Sequence, residues 1–135
     1  MKKALLLFIA LVGLNSASFA KGSKVKTLTI EISFKGVEEG YDHLTKSEIY
    51  INGDYIGSTV EHKETRKISK TIEVPSTEFD FKLINFAYYE GNWEEHTIDN
   101  NYSIDCIIDE TLKLGKKKKI VITFDLDNGS TFKLQ

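Results

Sequence analysis

The chain has few of the residues that cross-link a small protein or interrupt its strands. Its 135 residues include one cysteine, one proline and one tryptophan. A single cysteine excludes an internal disulfide, which leaves Cys106 as a buried small side chain, an intermolecular partner or a reactive thiol. Alternation with Ile104 and Ile108 favours the buried alternative. Stability must therefore come from an apolar core and backbone hydrogen bonds.

The chain also lacks an excess of positive charge. It has 18 basic and 20 acidic residues, and a formal net charge of −2. This balance argues against a protein that binds nucleic acid electrostatically. The one basic run, Lys116–Lys119, is expected to be a solvated turn that discourages edge-to-edge pairing of strands. Contact with an anionic surface is the alternative for this run.

Long apolar runs are absent except near the N-terminus. There MKK precedes ALLLFIALVGL, and NSASFA follows with Ser18 and Ala20 at the −3 and −1 positions of a cleavage site. The apolar block is shorter than the roughly 20 residues that cross a bilayer. Residues 1–20 are therefore predicted to be a cleaved signal peptide. The mature chain is expected to be periplasmic or extracellular, with no transmembrane segment.

What the mature chain does have is apolar residues at alternate positions, as in TLTIEISFK and IVITFDL. Such alternation is typical of half-buried strands. Asn52-Gly53 lies between two alternating runs and is the strongest short signal for a hairpin. In EFDFKLINFAYY the apolar phase changes between Leu83 and Ile84, which predicts a β-bulge or a strand covered on both faces.

Frequent turn signals and the absence of helical periodicity predict an all-β fold of about 8–9 short strands. The expected architecture is a single antiparallel β-sandwich of the immunoglobulin or transthyretin-like type. A small closed barrel is the alternative. We expect a flexible leader over residues 21–26 and one sandwich domain over residues 27–135.

The segment EIYINGDYIGST, followed by IEVPSTEFDFKLINFAYYEG, resembles the PEGA-type repeat, a small β-sandwich of bacterial envelope proteins. Tyr50, Asn52, Gly53 and Gly57 match the first half of the repeat pattern. The resemblance covers roughly residues 47–91. It implies an envelope-associated, non-catalytic module and transfers no site residues.

The stretch YYEGNWEEHTIDNNYSIDC concentrates aromatic, amide and acidic side chains. Aromatic rings beside amides and carboxylates are the usual components of a carbohydrate site, because a ring stacks on the C–H face of a sugar. The alternative is a polar turn in which Trp93 closes one end of the core. The predicted ligand-binding residues are Trp93, Tyr88, Tyr89, Tyr102, Glu94, Asn100 and Asn101.

These observations favour an exported, non-catalytic binding module whose ligand is a carbohydrate. The alternative is a structural or assembly module of the bacterial cell envelope that contacts another protein. The expected partners are therefore a polysaccharide or an envelope protein, and no cofactor is expected.

Patterns for catalysis and metal binding are weak. Glu94 and Glu95 are adjacent on a predicted strand and point to opposite faces, which is unsuited to a catalytic carboxylate pair. His43, His62 and His96 share no spacing typical of zinc ligands. The chain is therefore predicted not to be an enzyme and to hold no metal.

Calcium binding is the metal hypothesis that stays open. Asp105 with Asp109, and Asp125 with Asp127, are the two oxygen-rich pairs. The second lies in DLDNG, which is similar to the start of a calcium loop but lacks the later bidentate Glu. A hairpin turn explains the same residues.

Overall fold

A computed structural model describes residues 25–135. The predicted signal peptide, residues 1–20, lies outside the described residues. Among residues 25–135, no helix combines the length and apolar character needed to cross a membrane. The leader expected over residues 21–26 overlaps the first strand, since Val25 and Lys26 already pair with a neighbouring strand.

Ten strands form the described part of the chain, one or two more than expected. A single 3-10 turn covers Ile98–Asn100. In chain order the strands are β1 (Val25–Lys35), β2 (Leu44–Ile51), β3 (Asp54–Ser58), β4 (His62–Lys63), β5 (Ile68–Pro75), β6 (Phe79–Tyr89), β7 (Asn92–Glu95), β8 (Ile107–Leu112), β9 (Lys119–Asp125) and β10 (Gly129–Leu134).

The strands form two sheets that face each other in a sandwich-like arrangement. The four-stranded sheet has the order β10-β9-β1-β5. The six-stranded sheet has the order β3-β2-β6-β7, with β4 beside β2 and β8 beside β6. Two turn signals of the sequence are confirmed. Asn52 and Gly53, between β2 and β3, have the positive φ of a hairpin turn, and β5 ends at Pro75.

The expectation of a purely antiparallel sandwich is wrong for one pair of strands. β1 and β9 run parallel, with Ile30 opposite Ile120 and Phe34 opposite Phe124. A parallel pair needs a long connection, and here the chain between β1 and β9 supplies β5 and the whole six-stranded sheet. Alternation of apolar residues is the same in parallel and antiparallel strands, so it could not predict this pairing.

The core lies between the sheets and is built from the inward-facing residues of both. Cys106 is fully buried among them, which confirms the buried alternative, and this burial raises the pKa of its thiol. Lys116–Lys118 lie exposed in the turn between β8 and β9, as expected for a solvated turn. The largest completely buried apolar side chains are Phe81, Phe124, Leu28, Ile30, Ile32, Ile49, Ile51, Leu83, Leu112, Ile120 and Ile122.

Strand β6 keeps the same face inward along its whole length, so the predicted change of phase is wrong. Beyond Leu83 the inward positions carry the polar Asn85 and the small Ala87, both completely buried. Ile84 and Phe86 face outward and are only partly covered. The irregularity of this sheet lies instead between β2 and β3, where the register shifts at Ile49 and Tyr50.

Asn85 can occupy a core position because the neighbouring strand satisfies its amide. Its Nδ2 shares two hydrogens among three acceptors, which are Thr45 Oγ1 at 2.7 Å, Ser47 Oγ at 3.0 Å and the Lys46 carbonyl at 3.1 Å. Its Oδ1 accepts from Thr45 Oγ1 at 3.0 Å. A buried amide without such partners would cost about 1–3 kcal/mol for each unsatisfied group. The network therefore joins β2 and β6 through polar contacts inside the core.

Candidate functional site

An open cavity of about 530 Å³ lies where β1, β6 and β9 end and β2 begins. This volume falls within the range of about 300–1,000 Å³ that is typical of small-molecule sites. The cavity is the best candidate site in residues 25–135. Its lining residues are Gly36, Glu38, Tyr41, His43, Tyr89, Glu94, His96, Asn100, Asn101, Tyr102, Ser103, Leu126 and Asp127.

The structure divides the seven predicted site residues between two places. The cavity is lined by Tyr89, Glu94, Asn100, Asn101 and Tyr102. Trp93 and Tyr88 lie on the outer face of the six-stranded sheet, where they pair across β6 and β7 with ring centroids 5.2 Å apart. Neighbouring residues of a strand point to opposite faces, so Tyr88 and Tyr89 cannot line the same surface.

Trp93 does not close the end of the core. Its ring is partly exposed on the outer face, and the Lys46 ammonium lies 4.6 Å from the ring centroid. A cation at this distance is attracted to the electron-rich face of the indole. The plug expected from the lone tryptophan is therefore replaced by an outward-facing cluster of Trp93, Tyr88 and Lys46.

Tyr102 is the aromatic residue that organises the cavity. Its ring packs on His96 with centroids 4.2 Å apart and meets the edge of His43 at 5.8 Å. Its hydroxyl donates to Glu94 Oε1 at 2.7 Å. Burial, together with this bond to a carboxylate, raises the pKa of Tyr102, so its hydroxyl stays protonated. The ring is held by contacts on three sides.

A buried carboxylate links two histidines of the lining. Glu64 follows β4 and is 1% exposed; its Oε1 accepts from the His43 backbone N–H at 3.1 Å and lies 3.2 Å from His43 Nδ1. Its Oε2 lies 3.4 Å from His96 Nδ1 without forming a hydrogen bond. Neither of these two buried atoms has another hydrogen-bond partner among the described residues.

Burial shifts the pKa values of Glu64 and His96, two of the three groups in this cluster with His43. Burial raises the pKa of Glu64, although the hydrogen bonds from His43 act in the opposite direction. Burial also lowers the pKa of His96 to about 4, helped by the nearby His43. His96 is therefore a neutral imidazole at neutral pH, and its short distance to Glu64 does not make a charged pair.

Sequence reasoning treated His43 and His96 as unrelated and did not consider Glu64. The two histidines converge because β2, which follows His43, and β7, which precedes His96, lie on either side of β6. The His96 backbone N–H donates to the Asn85 carbonyl at 2.9 Å. Glu64 lies in the charged stretch EHKETRK. No pattern in that stretch marks one of its charges as buried, so no sequence signal could have identified it.

Metal-binding hypotheses gain no support from the described part of the chain. No group of three His, Cys, Asp or Glu residues in it has an arrangement that could hold a metal ion. The Asp125 carboxylate accepts from the backbone N–H groups of Asp127 and Asn128 at 3.0 and 3.2 Å, as in a hairpin turn. Asp105 Oδ1 accepts from the Ile98 N–H at 2.9 Å. Both carboxylates therefore stabilise turns.

Comparisons with known proteins do not identify the chain. No protein-family model, no curated protein and no solved structure matches it. The chemistry of the cavity therefore carries the functional argument. Its lining combines three tyrosine rings, two amides, two imidazoles and three carboxylates around a concave space, which suits binding of a small polar ligand with apolar faces.

Proposed function

We propose that this protein is an exported, non-catalytic binding domain that holds a carbohydrate in the cavity at the end of the sandwich. The observation that supports it most is the position of Tyr102, whose ring is held beside the Asn100 and Asn101 amides and the Glu94 carboxylate. A sugar stacks its C–H face on such a ring and bonds its hydroxyls to the amide and carboxylate groups.

The binding residues are held in place before any ligand arrives. Asn100 Nδ2 donates to the Glu95 carbonyl at 2.7 Å, which fixes the side chain. Asn101 has a φ of 71° and ends the 3-10 turn in a left-handed conformation that Asn tolerates well. The Tyr102 hydroxyl is fixed by Glu94. Such preorganisation reduces the entropy lost on binding.

The proposal is for binding without catalysis because the lining offers no activated nucleophile. The Ser103 hydroxyl donates to the Leu126 carbonyl at 2.7 Å instead of to a base. Cys106 is buried and its raised pKa keeps it a thiol. Glu64 is 1% exposed, and its Oε1 accepts from the His43 N–H. These groups are engaged in holding the fold.

The same proposal includes three finer points about the chain. We propose export directed by residues 1–20, and membership of the immunoglobulin or transthyretin-like kind of sandwich. The PEGA-type resemblance over residues 47–91 supports an association with the cell envelope. Its central feature, the Asn52-Gly53 hairpin, joins β2 and β3, while the lack of a family match leaves the relationship itself a proposal.

The proposal is tested by titrating mature protein with a panel of neutral and charged oligosaccharides in a calorimeter. Tyr102→Ala removes the stacking surface, and we expect at least a 10-fold loss of affinity, equivalent to about 1.4 kcal/mol. Trp93→Ala is the matched control, because its ring lies on the other face of the sheet. Absence of binding to every glycan, or equal losses in both variants, would contradict a carbohydrate site in this cavity.

A second candidate function is docking of an envelope protein on the outer face of the six-stranded sheet. The observation that favours it is the aromatic character of this face. Tyr88 is 41% exposed and packs on Trp93, and Tyr55, which is 52% exposed, packs on Tyr50 further along the sheet. Aromatic residues are enriched in protein interfaces. If this candidate is correct, Trp93→Ala releases a co-purifying partner and Tyr102→Ala retains it.

A further inference from the structure

Carboxylates outnumber imidazoles in the lining of the cavity. Glu38, Glu94 and Asp127 contribute carboxylates, and no lysine or arginine is among the lining residues. Glu38 lies in the loop after β1 and Asp127 in the turn after β9, and both side chains are exposed. In a concave site with apolar walls, such charges reinforce one another and attract cations.

The structure holds one of these carboxylates close against the backbone of the neighbouring loop. A Cβ atom at Gly36 would lie 2.8 Å from Asp127 Oδ2, and the Gly36 backbone has a φ of +78°. Only glycine fits there without displacing the carboxylate. Gly36 therefore lets the turn after β9 bring Asp127 against the loop after β1, at the rim of the cavity.

The aromatic walls favour a cation as well. Tyr41 and Tyr89 are 65% and 50% exposed in the lining, and Tyr102 forms the inner wall. The face of a tyrosine ring carries negative electrostatic potential and attracts ammonium groups within about 6 Å. Rings and carboxylates therefore select for the same ligand charge.

The two imidazoles of the lining face a buried carboxylate. His43 Nδ1 lies 3.2 Å from Glu64 Oε1. His96 is 2% exposed and lies beside Tyr102, with its Nδ1 facing the buried Glu64 Oε2 and lacking a hydrogen-bond partner within the described range. The lysines at positions 116–118 lie at the other end of the four-stranded sheet, where the Thr29 backbone N–H donates to the Lys118 carbonyl at 2.9 Å. The parallel register from Thr29 to Lys35 separates them from the cavity by about 20 Å, more than a Debye length.

We infer that the cavity selects sugars that carry a free, protonated amine over the corresponding neutral sugars. This inference rests on the proposed function, since it names the class of carbohydrate that the same cavity takes. The sugar ring would stack on Tyr102, and its ammonium group would lie between the tyrosine faces and the carboxylates of Glu38, Glu94 and Asp127. Acetylation of the amine removes the charge and with it this part of the recognition.

The test compares two short glucosamine oligomers of equal length, one with free amines and one fully N-acetylated. Both are titrated into the mature protein at about pH 6, where the free amine is protonated. We expect the free-amine oligomer to bind at least 10-fold more tightly, with an affinity that falls as salt is added. The neutral oligomer should show little dependence on salt.

A double variant, Glu38→Gln with Asp127→Asn, tests the role of the carboxylates. It should reduce the preference for the free amine, measured as the ratio of the two affinities, to about 2-fold or less. Glu73→Gln with Asp109→Asn is the matched control, because it makes the same change of net charge at exposed positions outside the lining. All four substituted side chains are exposed, and thermal unfolding of each variant checks that it folds.

Each outcome decides between the two proposals. Equal affinity for both oligomers, or a preference that survives the double variant, overturns the inference of amine selection and leaves carbohydrate binding intact. If neither oligomer binds but other glycans do, the inference fails and the proposed function stands. If no glycan of the panel binds, both fail. A preference lost only in the double variant supports both.

Discussion

Strand β6 passes through two regions of the interior that differ in chemistry. Around Phe79, Phe81 and Leu83, which we call the apolar half, the buried side chains of the strand are large hydrocarbons. From Asn85 to Tyr89, which we call the cavity half, the strand meets buried hydroxyls, imidazoles and a carboxylate. One continuous strand thus supplies a close-packed core at one end and a polar, open site at the other.

The difference between these halves shows how stability and binding are divided. Burial of hydrocarbon in the apolar half provides a favourable free energy of about 25 cal/mol for each Å² removed from water. Polar groups in the cavity half gain little net energy even when they are hydrogen-bonded, and they destabilise the fold when they are not. Their contribution is to hold Tyr102, His43 and the amides in fixed positions.

The largest expected effect comes from removing a side chain of the apolar half. Phe81→Ala leaves a void at a completely buried position, and we expect the free energy of unfolding to fall by about 3–5 kcal/mol. Guanidinium denaturation followed by circular dichroism measures it. Tyr88→Ala, on the outer face of the same strand, is the control and should cost much less. Equal losses would contradict the division into halves.

In the cavity half, Asn85→Leu should cost about 1–3 kcal/mol. The apolar replacement fills the space but removes the amide that the hydroxyls of Thr45 and Ser47 contact, and Thr45 keeps only the Phe86 carbonyl. The triple variant that adds Thr45→Val and Ser47→Ala should recover part of this loss, since it removes the stranded groups together. If the triple variant is the least stable of the series, the network is not what stabilises Asn85 in the core.

The buried Glu64 carboxyl should make the stability of the fold depend on pH. Burial raises the pKa of Glu64 above its ordinary value of 4.5, so on raising the pH the unfolded chain loses this proton before the folded protein does. Wild-type stability therefore falls as the pH rises from about 4.5 through the raised pKa of the folded protein. Glu64→Gln does not titrate and keeps the acceptor for the His43 N–H, so its stability relative to wild type should increase with pH.

Thermal unfolding of both proteins between about pH 4 and pH 8 measures this difference. His96 titrates in both proteins: its pKa of about 4 lies below its ordinary value of 6.5, so its contribution makes the fold less stable as the pH falls through that interval. The difference between the two curves reports Glu64 together with the two histidines that lie against it. A difference that stays constant with pH would contradict the raised pKa.

The smallest effect is expected from Tyr102→Phe. The substitution removes the hydrogen bond to Glu94 at 2.7 Å and retains the ring between His96 and His43. We expect a loss of about 0.5–1.5 kcal/mol of stability and a smaller loss of ligand affinity than for Tyr102→Ala. If the Phe variant loses as much affinity as the Ala variant, the hydroxyl and not the ring carries recognition.

Local sequence patterns determined the strands and several turns of this protein. Alternation predicted that Ile30, Ile32 and Cys106 would be buried, and Asn52-Gly53 predicted its hairpin, because side chains alternate between the faces of a strand and few residues accept positive φ. Five of the cavity residues were also included in the predicted site, since aromatic, amide and acidic side chains are concentrated in one stretch.

Only the tertiary structure decided which of these side chains share a surface. Whether Tyr88 or Tyr89 faces the interior depends on which face of β6 is buried. The pattern of apolar residues does not reveal this face, because the polar Asn85 occupies one of its buried positions. The parallel pairing of β1 with β9 and the meeting of His43, Glu64 and His96 join segments far apart in the chain. Such contacts depend on the packing of whole sheets, and alternation along a single strand does not encode them.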